Sequence, residues 1–317
     1  MDGGAAVSAA TPASAGGARR RMSRLRLREA IDGYICIAPW VLGFLVFTAF
    51  PIVASFVLSF SRYTILDPPR FIGLDNYGKM LNGDPLFWQS LKVTVIYTII
   101  LVPLGTIGGY VLALLLNQAV KGVGFFRTVF YLPVVTPAIA TSFLFAWMLN
   151  PEIGLVNNFL ASIDIEGPQW FASRQWVIPS FIIMSLWGLG GNMILYLAGL
   201  QGVPTVLYEA AMLDGAGAWA KFRNVTLPMT SPVIFFTFLT GMIGTFQVFT
   251  GAYVITSGGP ADASLFYILY LYQNAWNYLK MGYAAGLAWV LFAIIFVLTL
   301  IALRVSGRYV YYEGAVR

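Results

Sequence analysis

The stretch Gly73-Leu74-Asp75-Asn76-Tyr77-Gly78-Lys79 has the glycine and lysine spacing with which a phosphate-binding loop begins. In such a loop, backbone N–H groups cradle the phosphates and the lysine reaches toward them. A Ser or Thr at the next position then holds magnesium. Here the next residue is Met80, whose thioether cannot stand in for an oxygen ligand to a hard cation. The preceding Leu66-Asp67-Pro68-Pro69-Arg70-Phe71 does not read as a buried strand feeding a helix. The fragment is read as a turn-rich loop, so nucleotide energy must come from another polypeptide. Other chemistry is equally sparse. There is no histidine, which removes imidazole bases, catalytic triads and the usual zinc sites. Asp164 and Glu166 lie close in sequence with no acid–base partner, and Cys36 is the single cysteine. No catalytic set and no metal site is expected.

The composition explains why chemistry is scarce. Of 317 residues, 59% are hydrophobic and 10% are charged. Soluble domains carry roughly 25% charged residues to cover their surface. Several apolar runs exceed the roughly 20 residues that cross a bilayer core as helix. The expectation is an all-α polytopic membrane protein with six transmembrane helices at about 34–60, 88–116, 126–149, 177–200, 229–255 and 283–304. Residues 1–30 read as a disordered basic tail and 308–317 as a C-terminal tail, with 31–307 forming the membrane domain. The run after the tail is too long for a signal-peptide core and lacks a clear cleavage site, so an uncleaved first span is expected. Prolines within or near the spans (Pro51, Pro103, Pro133, Pro137, Pro179, Pro232) favour a packed bundle over a simple anchor. The pairs Gly108/Gly109 and Gly190/Gly191 would let helices approach closely.

Orientation follows from Lys and Arg, which concentrate on cytoplasmic loops. With the N-terminus inside, the inner set is Arg19, Arg20, Arg21, Arg24, Arg26, Arg28, Lys121, Arg127, Lys221, Arg223, Arg304, Arg308 and Arg317. The smaller outer set is Arg62, Arg70, Lys79, Lys92, Arg174 and Lys280. Both termini are therefore expected in the cytoplasm. The basic residues form no aromatic-interleaved patch, so nucleic acid is not an expected partner; the lipid bilayer is.

The inner loop 201–228, Gln-Gly-Val-Pro-Thr-Val-Leu-Tyr-Glu-Ala-Ala-Met-Leu-Asp-Gly onward, has helical grammar. Pro204 suits a first turn, good helix formers follow, and Asp214-Gly215 stops the run. A second helical stretch follows before Leu227-Pro228 turns the chain into the fifth span. Two short helices meeting at Gly215 are predicted on the cytoplasmic surface. Ala210 and Ala211 allow close approach, Glu209 and Asp214 can pair with a basic partner, and Tyr208 and Trp219 offer aromatic anchors.

Glu209-Ala210-Ala211, three residues, Gly215, nine residues, Val225, one residue and Leu227-Pro228 resemble the EAA loop of membrane subunits of binding-protein-dependent ABC importers. The one departure is Val225, where isoleucine is commoner. Further stretches, among them Phe126-Arg-Thr-Val-Phe-Tyr-Leu-Pro-Val-Val-Thr-Pro-Ala-Ile-Ala140 and Val254-Ile-Thr-Ser-Gly-Gly-Pro260, are similar to the maltose/lactose-type sugar permeases over about residues 35–305. The resemblance implies a type I ABC importer permease fold in a bacterial-type cytoplasmic (inner) membrane. It implies a second permease subunit, two cytoplasmic ATP-binding subunits that hold ATP and magnesium, and an extracytoplasmic solute-binding protein. No cofactor is implied for this chain itself. Glu209 would contact the ATPase cleft, Gly215 would permit the bend, and Leu227-Pro228 would transmit movement to the fifth span.

A substrate path is expected from intramembrane polar and aromatic groups. Trp187 offers a platform for a sugar face and Asn192 two donors and an acceptor. Gly241, Thr245 and Val248 share a helical face at i, i+4, i+7 spacing, with Gln247 beside it. By resemblance, the positions of Asn192, Gly241, Thr245 and Val248 contact sugar in maltose-type permeases; two of the four are not polar here. The aromatic segment 261–283 reads as an interfacial helix. A sugar is the implied cargo, with glycerol-phosphate, polyamine or amino acid as alternatives. An ion-coupled secondary transporter would normally need ionisable groups within the spans, and these spans have essentially none.

Overall fold

The computed structural model describes residues 24–118, 121–307 and 310–311. Arg19, Arg20, Arg21, Arg308 and Arg317, which carry part of the orientation argument, lie outside the described residues. The chain is already helical at Arg24, within the stretch expected as tail. It divides into two units, residues 1–54 and 55–317.

The first long helix, α1 (Arg28–Ser59), has 32 residues, and none of its apolar window is buried. Trp40 is 70% and Phe47 82% exposed. A helix apolar all round and uncovered belongs in hydrocarbon. It passes through a π-helical turn, Leu45–Ala49. Pro51 stands two residues beyond it; its ring and missing N–H disturb the bond to the carbonyl four residues back, and a wider turn absorbs the mismatch.

After Ser59 a two-residue hairpin pairs β1 (Ser61–Arg62) with β2 (Arg70–Phe71), Ser61 opposite Phe71. The short α2 (Asp75–Asn82) follows. The stretch with phosphate-loop spacing is thus mostly helix. Gly78 N–H is spent on Leu74 O at 2.9 Å. Met80 is 1% exposed, and a Cβ built on Gly286 would lie 2.8 Å from its Cε. The Gly78 donor is used and the magnesium position is a core contact.

The remaining bundle comprises α3 (Pro85–Leu116), the pair α4 (Val123–Val135) and α5 (Ala138–Met148), α6 (Leu155–Ala161), the pair α7 (Val177–Leu186) and α8 (Gly190–Gln201), α9 (Thr205–Leu213), α10 (Ala218–Phe246), α11 (Tyr267–Tyr272) and α12 (Met281–Ser306). Among the described residues, four single helices are long and apolar enough to cross a membrane, and six crossings result if each bent pair counts as one.

Three expectations are corrected in detail. The third span, 126–149, is not one straight helix: α4 and α5 meet at 98°. Thr136 precedes Pro137 and is extended, with ψ 130°, because a following proline ring excludes the helical region. The fifth span does not start after a turn at Leu227-Pro228. Helix runs unbroken from Ala218 through a π-turn, Phe222–Thr226, in which Leu227 N–H bonds Phe222 O five residues back. It ends at Phe246, nine residues short of the expected 255, because Gln247 leaves helical geometry at φ −108°, ψ 18°.

The third correction concerns 261–283, which is not an interfacial helix throughout. Leu265, Phe266, Tyr267 and Leu269 are at most 1% exposed and belong to the main core with Phe87, Tyr97, Phe181 and Leu287. Tyr267 N–H donates to Thr94 Oγ1 at 2.9 Å and its hydroxyl to Leu287 O at 2.9 Å. Satisfying both polar groups is what allows so aromatic a segment to sink into the bundle. Only its far end presents rings outward, with Trp276 and Tyr278 more than half exposed.

Two devices knit the spans. Tyrosine hydroxyls cross between helices: Tyr97 to Ser185 at 2.6 Å and Tyr110 to Thr230 at 2.8 Å. Glycines permit contact at backbone distance. A Cβ on Gly190 would lie 1.9 Å from Phe130 O, and one on Gly109 3.0 Å from Asn192 Cβ. In hydrocarbon, where apolar burial gives little driving force, such close packing and interhelical bonds hold the bundle together.

Candidate functional site

The α9–α10 connection is an ordered, solvent-facing bend. Pro204 stands at the N-cap of α9, one position before the expected first turn, with φ −60° and ψ 131°. Asp214 caps the other end. Gly215 follows at φ +75°, a left-handed conformation that costs residues with a Cβ roughly 1–2 kcal/mol. Gly215 N–H bonds Met212 O at 3.0 Å, and Ala216 N–H bonds Ala211 O at 2.8 Å. This doubly bonded C-terminal cap satisfies the last carbonyls and fixes the turn. Gly217 then begins α10.

None of the nine residues of α9 is buried. Glu209, Ala210, Asp214 and Gly215 are exposed and Ala211 is half-buried. Leu213 is 90%, Trp219 71% and Val206 67% exposed. An apolar and acidic ridge is therefore offered at a bend stiffened from within. Tyr208, expected as an outward anchor, is corrected: it is half-buried and its hydroxyl meets Thr226 Oγ1 at 3.0 Å. It ties α9 to the base of α10, while Trp219 stays outside. Leu227 and Pro228 sit within continuous helix and do not form a turn.

The residues expected along a substrate path do not all line the cavity that Trp187 lines. Trp187 lies at the α7–α8 break, packs on Phe145 with centroids 5.5 Å apart, and lines a cavity of about 440 Å³ with Gly108, Phe130, Pro133 and Leu189. Asn192, Gly241, Thr245, Gln247 and Val248 are not among that cavity's lining residues. Asn192 is half-buried beside Gly109. Gly241 faces open space, with nothing within 4 Å of a built Cβ. Thr245 is 8% exposed and returns its hydroxyl to Met242 O at 2.9 Å. The shared helical face expected for Gly241, Thr245 and Val248 ends with α10 at Phe246. Gln247 is exposed and bonds back to Ile243 O at 3.2 Å, and Val248 packs on the main core.

One polar cluster was missed. Asp84 caps α3 by accepting from Leu86 N at 3.0 Å and Phe87 N at 3.3 Å. Its other oxygen accepts the hydroxyls of Tyr270 and Tyr283. Burial pushes the carboxyl up, but the tyrosine and backbone donors outweigh it and hold it below the usual carboxylate value. Burial, then donation to Asp84, pushes Tyr270 up to about 12. Asp84-Pro85 before an apolar run was the available signal, being an N-cap followed by a first-turn proline. The tyrosines lie far away in sequence and gave none.

Residues 105–311 match the family model described as binding-protein-dependent transport system inner membrane component. The chain is 39% identical over 298 residues to the probable ABC transporter permease protein YesP of Bacillus subtilis (strain 168), covering 93% of this chain and 96% of that protein. It is 37% identical over 286 residues to the lactose transport system permease protein LacF of Rhizobium radiobacter, covering 87% and 94%. It is 33% identical over 291 residues to the trehalose/maltose transport system permease protein MalF of Thermococcus litoralis, covering 90% and 97%. The fold is shared with a chain in the crystal structure of a bacterial alginate ABC transporter in complex with alginate pentasaccharide-bound periplasmic protein. There the TM-score is 0.80 at 22% identity, over 90% of this chain and 96% of that one. With a family model matching well over half its length and permeases of this kind aligned nearly end to end, the chain belongs to the binding-protein-dependent transport system inner membrane components.

Proposed function

We propose that this chain is one membrane subunit of an ATP-driven carbohydrate importer. It forms half of a translocation pathway and takes its energy from a separate ATPase. The observation that carries the reading is the stiffened α9–α10 bend, with Glu209 exposed on it and Tyr208 tying it to the membrane helix. A surface element fixed by a double cap and a hydroxyl pair can pass on a push; a floppy loop would dissipate it.

In this reading Glu209 makes the polar contact with a cytoplasmic ATP-binding subunit, while Ala210 and Ala211 let that subunit come close. Gly215 sets the angle, and Asp214 closes the helix. Leu227 and Pro228 carry the movement within α10. Two ATP-binding subunits hold ATP and magnesium, a second permease completes the path, and an extracytoplasmic binding protein delivers the solute. Both termini face the cytoplasm of a bacterial-type inner membrane. Closure of the ATPases rocks the bundle between inward- and outward-facing states. The sugar-transport names of LacF and MalF support a carbohydrate cargo, for which Trp187 supplies the aromatic platform.

The test is the complex reconstituted in liposomes with its ATPase. Glu209→Lys is expected to abolish both uptake and substrate-stimulated ATP hydrolysis while the subunit still inserts. Unchanged uptake by this variant, or uptake by the chain without any ATPase, rejects the reading.

A further inference from the structure

Cations concentrate on one pocket away from the α9–α10 bend. A cavity of about 310 Å³ is lined by Arg62, Lys79 and Lys280, with Tyr63, Asn76 and Tyr283 among its walls. Asp75 is the one carboxylate in the lining. Among the described residues no ion pair neutralises these cations. The two lysines rest on aromatic rings instead, Lys79 Nζ 5.7 Å from the Tyr283 centroid and Lys280 Nζ 5.3 Å from that of Tyr278. A tyrosine face holds an ammonium without cancelling its charge, so it remains available to an anion.

The pocket is also built at a definite depth. Arg62 follows the end of α1 at Ser59, and Lys280 directly precedes α12 at Met281. Gly282 N–H donates to Tyr63 O at 3.1 Å, fixing one span's exit against the other's entry. A Cβ on Gly282 would lie 2.0 Å from Ser61 O, so this junction is closed at backbone distance. Asn76 locks the floor by donating to Ser59 O at 2.8 Å and Ser61 O at 3.1 Å. The 26 residues of α12 span about 39 Å at 1.5 Å per residue, more than the roughly 30 Å hydrocarbon core. It is therefore long enough for its first turn, beside Lys280, to stand at headgroup level, where phosphate is concentrated.

We infer that this pocket binds the phosphate of an anionic phospholipid headgroup, with Arg62, Lys79 and Lys280 as its cationic contacts. The inference rests on the chain spanning a membrane and is independent of the cargo and of the ATPase coupling. Asp75 sets a limit on affinity, since it opposes any anion entering the pocket.

Purified full-length chain in detergent is titrated separately with dioleoylphosphatidylglycerol, dioleoylphosphatidylcholine and inorganic phosphate. Bound lipid is read by native mass spectrometry and stability by thermal melting. The expected result is tight retention and a raised Tm with the anionic lipid alone. Arg62→Gln/Lys79→Gln/Lys280→Gln is expected to lose at least tenfold in that affinity, whereas Arg174→Gln, whose cation lies outside the lining, retains it. Lys79→Arg/Lys280→Arg, which keeps the charge, should retain it as well and guards against a folding defect in the triple variant. Equal retention of both lipids overturns the inference, as does protection by inorganic phosphate alone. A triple variant that holds the anionic lipid as the parent does also overturns it, and would assign the cations to a soluble acidic partner.

Discussion

Tyr208 on α9 and Thr226 at the root of α10 share a hydroxyl–hydroxyl bond of 3.0 Å, and through it the exposed helix is anchored to a membrane-crossing one. Thr226 is buried at 8% exposure, so the bond is sheltered on one side. Such a bond is worth about 1 kcal/mol, or roughly a fivefold change in an equilibrium. Tyr208→Phe should leave insertion and ATPase binding intact but raise ATP consumed per solute imported several-fold. Side-by-side uptake and hydrolysis assays in proteoliposomes check this; an unchanged ratio would remove Tyr208 from the coupling path.

Gly215 gives a sharper conformational test. At φ +75°, Asn tolerates the left-handed region and a β-branched residue does not. Gly215→Asn is expected to keep most uptake activity. Gly215→Val should lose it about tenfold or more, because the bend must open for the side chain to fit. Space is not the limiting factor, since nothing lies within 4 Å of a Cβ there. Equal activities for the two variants would mean that the turn is not required.

Neighbouring glycines in α8 should behave in opposite ways. A methyl on Gly190 would sit 1.9 Å from the Phe130 carbonyl oxygen, whereas one on Gly191 meets Val134 methyls at an ordinary 3.6 Å. Gly190→Ala must push α4 and α8 apart at the backbone, costing about 3 kcal/mol, the upper end of overpacking losses. Gly191→Ala should be close to neutral. Thermal melting of the detergent-solubilised variants separates them.

Asp84 predicts a stability effect at the other end of α3. Asp84→Ala removes the helix cap, worth about 1 kcal/mol, and leaves the hydroxyls of Tyr270 and Tyr283 without their acceptor. Asp84→Asn keeps the cap but replaces one acceptor oxygen with a donor, so its Tm should fall between those of the parent and the alanine variant. The carboxyl is held below its ordinary value in the fold. Its contribution is therefore present above the unfolded pKa of about 4 and is lost as pH falls through the folded value. The alanine variant should show no such acid-limb loss from this site.

Much of this architecture was readable from the order of residues. The runs around α3 and α12 have unbroken apolar stretches of membrane length, and the observed helices match them within a few residues. The α9 helix and its stop at Gly215 were equally plain, because propensity and cap chemistry act over short range. Long-range consequences were not readable. Nothing local marks Leu265 to Leu269 as core, since the same aromatic run suits an interface until Thr94 and Leu287 supply its partners. Pro228 looked like a boundary because a π-turn that accommodates proline leaves no compositional trace. Periodicity puts Val248 on one helical face with Gly241 and Thr245, but the helix ends at Phe246, before that position is reached.

The unbroken course of α10 has a mechanical corollary. Its 29 residues make a strut about 43 Å long, rooted beside the α9 bend and longer than the roughly 30 Å hydrocarbon core. A tilt of about 5° at the end beside the bend would swing the far tip by roughly 4 Å. A small displacement at the bend thus arrives enlarged at the other end of the same helix.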